Sequence, residues 1–394
     1  MRVECSDCGA VADPLEPCRC GGLPEFVLGE LRLDPIGLRR VVRERRASFE
    51  PLFASGVWRW RELLPPIPAA AIVSLAEGNV PLYDSAPGAR YAGVDRLAYL
   101  HLGMNPTGSF KDLGMTVAIS AAKAAGARSV VCASTGNTAS SMAAYASRAG
   151  LDAYAIVPRG RVSDAKLAQM REYGAQLIEV DGSFDDAFAA LSDVRDAAVV
   201  NSVNAYRIEG QKCAAFAILE ARSWSVPDWI ALPGGNLGNI SAISKGFREA
   251  LALGLIDKLP RIALIRAERG VDTTASAIAV GDPKSRSRAS RALERFNGIE
   301  LAIGDDAILD AKAQIGREGI GCEPASAASL AGVRALRQAQ GDSVVSAQGD
   351  SGDTIAPDAD VVAILTGHVL KDARPFEARA NALAPQGDKV HAVA

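Results

Sequence analysis

The fold of this chain is constrained most by a regular alternation of short apolar runs with alanine-rich helical segments. We predict strands at residues 97–102, 129–132, 153–157, 176–180, 198–200, 229–232 and 361–365. Helices are predicted between them, for example from Lys111 to Gly126 and at 240–250. Parallel strands need a crossover connection, usually a helix, so this order predicts an α/β fold with parallel sheets. Ligands of such sheets bind at the carboxyl ends of strands, where loops meet helix N-termini.

Lys111 is predicted to lie at the start of one of these helices. Residues 106–112 read Pro-Thr-Gly-Ser-Phe-Lys-Asp, in which Pro106 and Gly108 favour a turn and Ser109 is predicted to cap the helix. The positive end of the helix dipole disfavours an ammonium and biases the amine towards the neutral form that condenses with carbonyl groups. The alternative is a solvated surface lysine, which describes most lysines in proteins.

Two further loops follow predicted strands and open helices. Residues 134–138 read Ser-Thr-Gly-Asn-Thr, and residues 233–239 read Pro-Gly-Gly-Asn-Leu-Gly-Asn. In the second loop, glycines let the backbone close round an anion while free N–H groups and the helix dipole face it. This loop is therefore predicted to bind a phosphate, and the alternative is a strand-to-helix turn without a ligand. It lacks the Gly-Lys-Ser/Thr of a nucleotide P-loop and the spacing of the dinucleotide fingerprint.

Four cysteines crowd the first twenty residues: Cys5, Cys8, Cys18 and Cys20. A glycine near each pair suits the tight turn that lets thiolates converge on one tetrahedral ion, which predicts a zinc-ribbon-like module at 1–27. The alternatives are a metal-free knuckle, because the second pair is unusually close, and disulfides, which a reducing compartment disfavours. Four thiolates leave no open coordination position, so such a metal would be structural.

Composition limits the class of partner. A net charge of −3 gives no electrostatic reason to expect nucleic acid or a membrane. No apolar run is long enough to span a bilayer, and the first residues lack the apolar segment of a signal peptide, so we expect a cytoplasmic protein. The arginines of 39–46 and of 281–296, which include Arg288, are predicted to form solvated helix faces. Trp58 and Trp60 are predicted to belong to an arm that packs on the main body or on a second subunit.

The motifs, taken in order, resemble those of the threonine synthase family, within the fold-type II, tryptophan synthase beta-like group of pyridoxal phosphate enzymes. They are the Lys111 segment, the loops at 133–138 and 233–239, Asn-Ser-Val-Asn at 201–204, Glu-Gly-Gln-Lys at 209–212 and Leu-Thr-Gly-His at 365–368. The resemblance covers about residues 72–372 and implies two lobes with three-layer αβα architecture and parallel or mixed sheets. The expected parts are a zinc-ribbon-like module at 1–27, an arm and linker at 28–71, a large lobe at 72–102 and 206–374, a small lobe at 103–205 and a C-terminal tail at 375–394.

The resemblance implies a role for each matching residue. Lys111 would form a Schiff base with pyridoxal 5'-phosphate and then serve as acid and base. The other implied cofactor-binding residues are Asn137 at the phenolic oxygen, Gly235, Asn236, Leu237, Gly238 and Asn239 at the phosphate, and Thr366 at the ring nitrogen. The implied substrate-binding residues are Ser134, Thr135 and Thr138 at the carboxylate and Asn201, Ser202 and Arg207 at a substrate phosphate.

The implied reaction is a carbon–oxygen lyase reaction of threonine biosynthesis, the conversion of O-phospho-L-homoserine and water to L-threonine and phosphate. The family also implies a homodimer. One alternative is β-replacement or deamination on a serine-type substrate, as in an O-phosphoserine-dependent cysteine or cysteate synthase or a threonine dehydratase. Another alternative, a nucleic-acid adaptor without catalysis, is disfavoured by the intact Lys111 and the net charge.

Overall fold

The computed structural model describes residues 1–29, 33–134, 136–194, 196–339, 345–346 and 354–372 of the 394-residue chain. Thr135 and the predicted tail at 375–394 lie outside the described residues. The strands are β1 (Arg2–Cys5), β2 (Pro24–Val27), β3 (Leu82–Asp84), β4 (Arg96–His101), β5 (Ser129–Ala133), β6 (Asp152–Pro158), β7 (Gln176–Val180), β8 (Ala198–Val199), β9 (Trp229–Pro233), β10 (Arg261–Ala267), β11 (Ile299–Ile303), β12 (Val345–Ser346) and β13 (Asp360–Leu365).

The α-helices are α1 (Pro35–Ala47), α2 (Ala86–Ala92), α3 (Lys111–Ala124), α4 (Asn137–Ala149), α5 (Asp164–Glu172), α6 (Phe184–Ala189), α7 (Ala205–Gln211), α8 (Cys213–Ala221), α9 (Gly238–Ala252), α10 (Arg286–Arg295), α11 (Asp305–Arg317) and α12 (Pro324–Gln338). Short 3₁₀ turns occupy Pro51–Ala54, Trp58–Leu63, Ala69–Ala71, Leu102–Met104, Ala190–Asp193, Gly270–Asp272, Ser276–Ile278 and Val369–Lys371. In the described part of the chain, no helix is long and apolar enough to cross a membrane.

A seven-stranded sheet forms the larger unit, in the order β12-β11-β10-β9-β13-β4-β3. Its five central strands are parallel, with Ile230 of β9 paired to Ile262 of β10 and Val362 of β13. The edge strands β3 and β12 pair antiparallel to their neighbours. A second sheet has the order β7-β6-β5-β8 and is wholly parallel. The predicted α/β fold with parallel or mixed sheets is confirmed, since the larger sheet is mixed and the smaller one is parallel.

Alternate residues of each central strand enter two separate cores. In β13, Val362 and Ile364 pack in one core, whereas Val361, Ala363 and Leu365 pack in the other. A strand buried on both faces reads as a continuous apolar run, which is how 361–365 reads in the sequence. Helices therefore cover both faces of the sheet in a three-layer αβα arrangement: α8, α9 and α10 on one face, and α2, α11 and α12 on the other.

The N-terminal arm packs on the main body of the same chain. This is one of the two predicted placements, the other being a second subunit. Trp58 donates from Nε1 to Thr116 Oγ1 of α3 at 2.8 Å, and Trp60 lies 4.6 Å from the Phe216 ring of α8. Both indole rings are buried. The arginines of 39–46 were predicted to form a solvated helix face. This prediction is wrong for Arg45, which is only 8% exposed and forms an ion pair with Glu62.

The N-terminal module, which we call the ribbon (residues 1–27), pairs β1 antiparallel to β2 and docks on helices of the large sheet. Glu25 lies 2.8 Å from Arg248 of α9, and Asp7 lies 2.9 Å from Arg291 of α10. The Phe26 ring contacts the ring of Tyr206 in α7, with 4.9 Å between centroids. The ribbon therefore contacts three helices, through ion pairs to α9 and α10 and a ring contact to α7. Of these helices, α7 and α9 contribute residues to the site described below.

Candidate active site

One cleft collects the predicted site residues at the carboxyl ends of β5, β9 and β13. Each strand runs directly into a loop that lines the cleft, the position expected for ligands of parallel sheets. Thr135 lies outside the described residues. All the other predicted cofactor and substrate residues line this cleft: Lys111, Ser134, Asn137, Thr138, Asn201, Ser202, Arg207, Gly235, Asn236, Leu237, Gly238, Asn239 and Thr366.

Lys111 is the first residue of α3, as predicted, but Ser109 is not the N-cap of this helix. Phe110 occupies the N-cap position and no side chain caps the helix. The Ser109 hydroxyl is buried without a hydrogen-bond partner, so the predicted cap is wrong. Burial, followed by the nearby charge of Arg207, lowers the pKa of Lys111 to about 7, while Glu323 opposes the shift. Removal of the ammonium from water is thus the main cause of its neutral form.

The loop that carries Lys111 is fixed by a buried carboxylate and by the end of β13. Asp112 accepts hydrogen bonds from Thr107 N at 2.7 Å, Thr107 Oγ1 at 2.6 Å and Ser141 Oγ at 2.5 Å. Burial raises the pKa of Asp112 to about 6. The Phe110 amide donates to Thr366 O at 3.0 Å. This backbone hydrogen bond joins residues that are more than 250 positions apart in the sequence. It fixes the position of Lys111, the residue after Phe110, relative to Thr366.

A close crossing of α3 and α7 brings Arg207 to the same cleft. A Cβ added at Gly210 would lie 1.8 Å from Leu113 O, and one added at Gly114 would lie 2.6 Å from Arg207 O. Only glycine permits this approach, since such contacts lie far inside van der Waals distance. Arg207 is 1% exposed, its Nη1 donates to Val200 O at 2.7 Å, and its Nε has no partner. Burial lowers the pKa of Arg207 to about 10, so the guanidinium remains charged at neutral pH.

The glycine loop at 233–239 has the features of a phosphate site. Leu237 adopts a left-handed conformation, with φ 62°, immediately before α9 begins at Gly238. The first N–H groups of a helix have no partner within the helix and carry the positive end of its dipole. Both polar atoms of the Asn239 amide are buried without partners. This set of unpaired donors fits the phosphate of pyridoxal phosphate, the group that the resemblance implies.

The groups expected around the cofactor ring occupy the other walls of the cleft. Asn137 donates from Nδ2 to both oxygens of Glu323, at 3.0 and 3.1 Å, and its Oδ1 has no partner. The Thr366 hydroxyl is 3.0 Å from Ser326 Oγ. The free Asn137 Oδ1 can accept from a phenolic hydroxyl, and the Thr366 hydroxyl can donate to a pyridine nitrogen, so these residues fit the neutral forms of those two groups of the implied cofactor.

Two of the predicted substrate residues are already hydrogen-bonded to the protein. The Asn201 amide accepts from Ala133 N at 3.0 Å and donates to Ala133 O at 2.8 Å, which ties the 201–204 turn to the end of β5. Ser202 Oγ accepts from Asn236 Nδ2 at 2.7 Å. Arg207 Nε is the group at this end that lacks a partner. The charge at this end of the cleft therefore comes from α7.

Glu323 and Lys166 are cleft residues that sequence reasoning missed. Both are 2% exposed, and Lys166 Nζ lies 3.8 Å from Glu323 Oε2. Glu323 precedes α12, and Lys166 lies within a helix that reads as a surface helix in the sequence. These two residues are recognisable only from tertiary contacts, because Glu323 bonds Asn137 and pairs with Lys166 in the folded protein. No local sequence pattern indicates those contacts.

The four N-terminal thiols converge as predicted. Cys5 Sγ lies 3.4 Å from Cys20 Sγ, Cys8 Sγ lies 3.7 Å from Cys18 Sγ, and all four sulfurs fall within 4.8 Å of one another. Tetrahedral zinc thiolates have Zn–S distances of about 2.3 Å, which places their sulfurs about 3.8 Å apart. A Cβ at Gly22 would lie 2.6 Å from Cys5 Sγ, which explains the glycine there. The cluster therefore fits one tetrahedral metal ion.

The chain is similar to known proteins over most of its length. Residues 73–349, more than half of the chain, match the family described as Pyridoxal-phosphate dependent enzyme. The chain is 37% identical over 398 residues to the threonine synthase of Methanocaldococcus jannaschii, covering 94% of this chain and 93% of that protein. It is 43% identical over 341 residues to the threonine synthase of Synechocystis sp., covering 81% of this chain and 85% of that protein.

A solved structure shares the fold. The structure of maize serine racemase aligns with a TM-score of 0.61 over 87% of this chain and 95% of that chain. The sequences are 19% identical, so this likeness concerns the fold alone. Together with the family match, it confirms the predicted fold-type II α/β architecture.

Proposed function

The chain belongs to the threonine synthase family of pyridoxal-phosphate dependent enzymes, and we propose that it converts O-phospho-L-homoserine and water to L-threonine and phosphate. The observation that carries this proposal is the pair of anion-binding ends in one cleft. The N-terminus of α9 suits the phosphate of the cofactor, and the buried Arg207 on α7 suits a second phosphate. A phosphorylated substrate explains why a guanidinium is buried in the wall of this cleft.

We assign the substrate carboxylate to the loop at the start of α4. Ser134 and Thr138 line the cleft there, and Thr135 lies between them in sequence. The helix N-terminus favours an anion at this position. The carboxylate bound at α4 and the phosphate bound at Arg207 would orient the substrate so that its Cα and Cβ lie beside Lys111.

Lys111 is the group that we assign to proton transfer. When bound, pyridoxal phosphate supplies the electron sink that makes loss of protons from Cα and Cβ feasible. With a pKa of about 7, the Lys111 amine can accept a proton at one carbon and return it at another near neutral pH. Arg207, with a pKa of about 10, remains protonated and stabilises the charge of the leaving phosphate. Water then adds at Cβ.

The remaining residues position these groups. Asn137 and Thr366 are proposed to hydrogen-bond the phenolic oxygen and the ring nitrogen of the cofactor. Asn201, bonded to Ala133, holds the turn that carries Ser202, whose hydroxyl lines the cleft and accepts from Asn236 of the glycine loop. Glu323 counters the positive charges of Arg207 and Lys166 and keeps the pKa of Lys111 from falling further.

We also propose that the cysteine cluster holds a structural zinc ion and that the enzyme is a cytoplasmic homodimer without nucleic-acid or membrane partners. Thiolate ligands suit the reducing cytosol, and the net charge of −3 gives nucleic acid no attraction. Elemental analysis of the purified protein should find one zinc per chain, reduced to none by Cys8→Ser. Light scattering after size exclusion should give twice the chain mass, and a monomeric mass would contradict the dimer.

The activity is tested by supplying purified enzyme with O-phospho-L-homoserine and measuring threonine and phosphate together. We expect the two products in equal amounts. A matched reaction contains O-phosphoserine with sulfide, the substrates of the β-replacement alternative. Turnover of O-phosphoserine without turnover of O-phospho-L-homoserine would overturn the proposed substrate and leave the cofactor assignment intact.

A further inference from the structure

A second charged cavity lies between the ribbon and the helices of the large sheet, outside the active-site cleft. It has a volume of about 330 Å³ and is bordered by β2, α9 and α10. We call it the arginine cavity, and the charged and hydroxyl groups that line it are Glu25, Ser241, Ser244, Arg248, Arg288, Arg291, Glu294 and Arg295.

The arginine cavity has more positive than negative charge. Four guanidiniums line it, against the carboxylates of Glu25 and Glu294. Glu25 is occupied by Arg248 at 2.8 Å and by Lys245 at 3.4 Å. Although burial opposes the shift, Lys245, Arg248 and Arg288 lower the pKa of Glu25 to about 2. The potential in the cavity therefore favours an anion.

Arg291 also has a partner, since it lies 2.9 Å from Asp7 of the ribbon. Arg288 and Arg295 have no ion-pair partner within the described residues. Glu294, which also lines the cavity, offsets one of these two charges, so the lining keeps a net positive charge that an anion would neutralise.

Arg288 is the informative residue of the two. The sequence predicted it on a solvated face, but its side chain is buried, with 6% exposure. Its Nη2 donates to Pro24 O, whereas Nε and Nη1 have no hydrogen-bond partner. A buried guanidinium with unpaired donors is costly unless a ligand satisfies them. Nε–H and the Nη1 hydrogens leave from different edges of the guanidinium plane, so each of the two nitrogens can donate to an oxygen of its own.

We propose that the arginine cavity binds a phosphate group, either as inorganic phosphate or on a small phosphorylated metabolite. An oxygen of the phosphate accepts from an unpaired nitrogen of Arg288, and Arg295 adds a second positive charge at the exposed side. The hydroxyls of Ser241 and Ser244, which line the cavity on α9, offer further hydrogen bonds. This site is independent of the reaction proposed above.

A phosphate at this site joins three parts of the molecule. Arg288 is on α10, the serines are on α9, and Pro24 and Glu25 belong to β2 of the ribbon. The helix α9 also begins at the loop assigned to the cofactor phosphate. Occupancy therefore strengthens the attachment of the ribbon to the helix that carries the cofactor loop.

The proposal is tested by calorimetric titration of the holoenzyme with inorganic phosphate and, separately, with glycerol 3-phosphate. We expect Arg288→Met to weaken binding by about tenfold or more, because it removes charge-assisted hydrogen bonds. Arg286→Met is the matched control, since Arg286 lies on the same helix but pairs with Glu300 at 2.7 Å. It should change the affinity less than twofold. Binding of both anions assigns the site to the phosphate group alone, and binding of the ester alone assigns it to a phosphorylated metabolite.

Two further measurements keep the outcome decisive. Arg295→Gln, at an exposed position that preserves the fold, should also weaken binding, so the result does not rest on Arg288→Met alone. Crystals of the holoenzyme soaked in tungstate should show an anomalous peak beside Arg288, distinct from any peak in the cleft. Unchanged affinity in both variants, no peak at Arg288, or a side chain of a neighbouring copy filling the cavity would each overturn the proposal.

Discussion

The two ends of the active-site cleft suit anions by different physical means. At the α9 end, the Asn239 amide is unpaired, and the first N–H groups of the helix present the positive end of its dipole. At the α7 end, Arg207 supplies a full charge that is 1% exposed. A neutral cradle suits the phosphate of a resident cofactor, because the charge of that phosphate does not change in the reaction. A buried cation suits a group that leaves, because its stabilisation grows as charge develops.

The largest predicted effect concerns Lys111, which lies between the two ends. Lys111→Ala removes both the covalent attachment of the cofactor and the proton-transfer group, so we expect threonine formation to fall by at least about 10⁴-fold. The visible absorbance of the lysine-bound cofactor should also disappear. Lys123→Ala, in the last turn of the same helix, is the control and should keep both properties. Substantial activity in Lys111→Ala would place the chemistry on another residue.

The second-largest predicted effect concerns Arg207, at the α7 end of the cleft. Arg207→Gln should lower kcat by about 10²- to 10³-fold, because the leaving phosphate loses its charged partner. The visible absorbance of the cofactor should remain, since the α9 end is unchanged. Arg207→Lys should recover part of the loss by restoring the charge without the bidentate fork. Equal loss of cofactor and activity would mean that the two ends are not separate.

A smaller effect is predicted for Asn239, at the α9 end of the cleft. Asn239→Ala should weaken cofactor binding by about tenfold, the cost of a hydrogen bond to a charged group. At saturating cofactor, kcat should stay near that of the wild-type enzyme. The measurement is a titration of the apoprotein with pyridoxal phosphate, followed by activity at each concentration. A fall in kcat that excess cofactor does not restore would contradict the assignment of this end.

The smallest effects are shifts in pH dependence. Below a pKa of about 7 Lys111 is protonated and unreactive, so reconstitution of the apoprotein should speed up with pH and level off above about 7. Arg207 lowers the pKa of Lys111 and Glu323 raises it. Arg207→Gln should therefore move the midpoint to higher pH, and Glu323→Gln should move it to lower pH. No shift in either variant would show that burial alone controls the amine, and shifts in the same direction would contradict the opposite effects assigned to Arg207 and Glu323.

The two ends also differ in how far the sequence predicts them. The α9 end is local: a strand, a glycine-rich turn and a helix follow one another at 229–252, and each step has a backbone reason. The anionic role of Arg207 came from resemblance, because its position depends on the close crossing of α3 and α7 at Gly114 and Gly210.

Residues that depend on tertiary contacts were not predictable from local patterns. Glu323 meets Asn137 across 186 positions of sequence. Arg288 has the spacing of a solvated face and is nevertheless buried, because the ribbon covers it through Pro24. Ser109 has the residue type of a helix cap, but the loop is held by Asp112 and Thr366 instead.

The division of the cleft into two anion-binding ends is tested most directly by a crystal structure of the holoenzyme with the phosphonate analogue of O-phospho-L-homoserine, which cannot release phosphate. We predict the cofactor phosphate at the N-terminus of α9 and the phosphonate against the Arg207 guanidinium, with the analogue's Cα and Cβ beside Lys111. A phosphonate bound away from Arg207, or a cofactor phosphate away from residues 235–239, would contradict it.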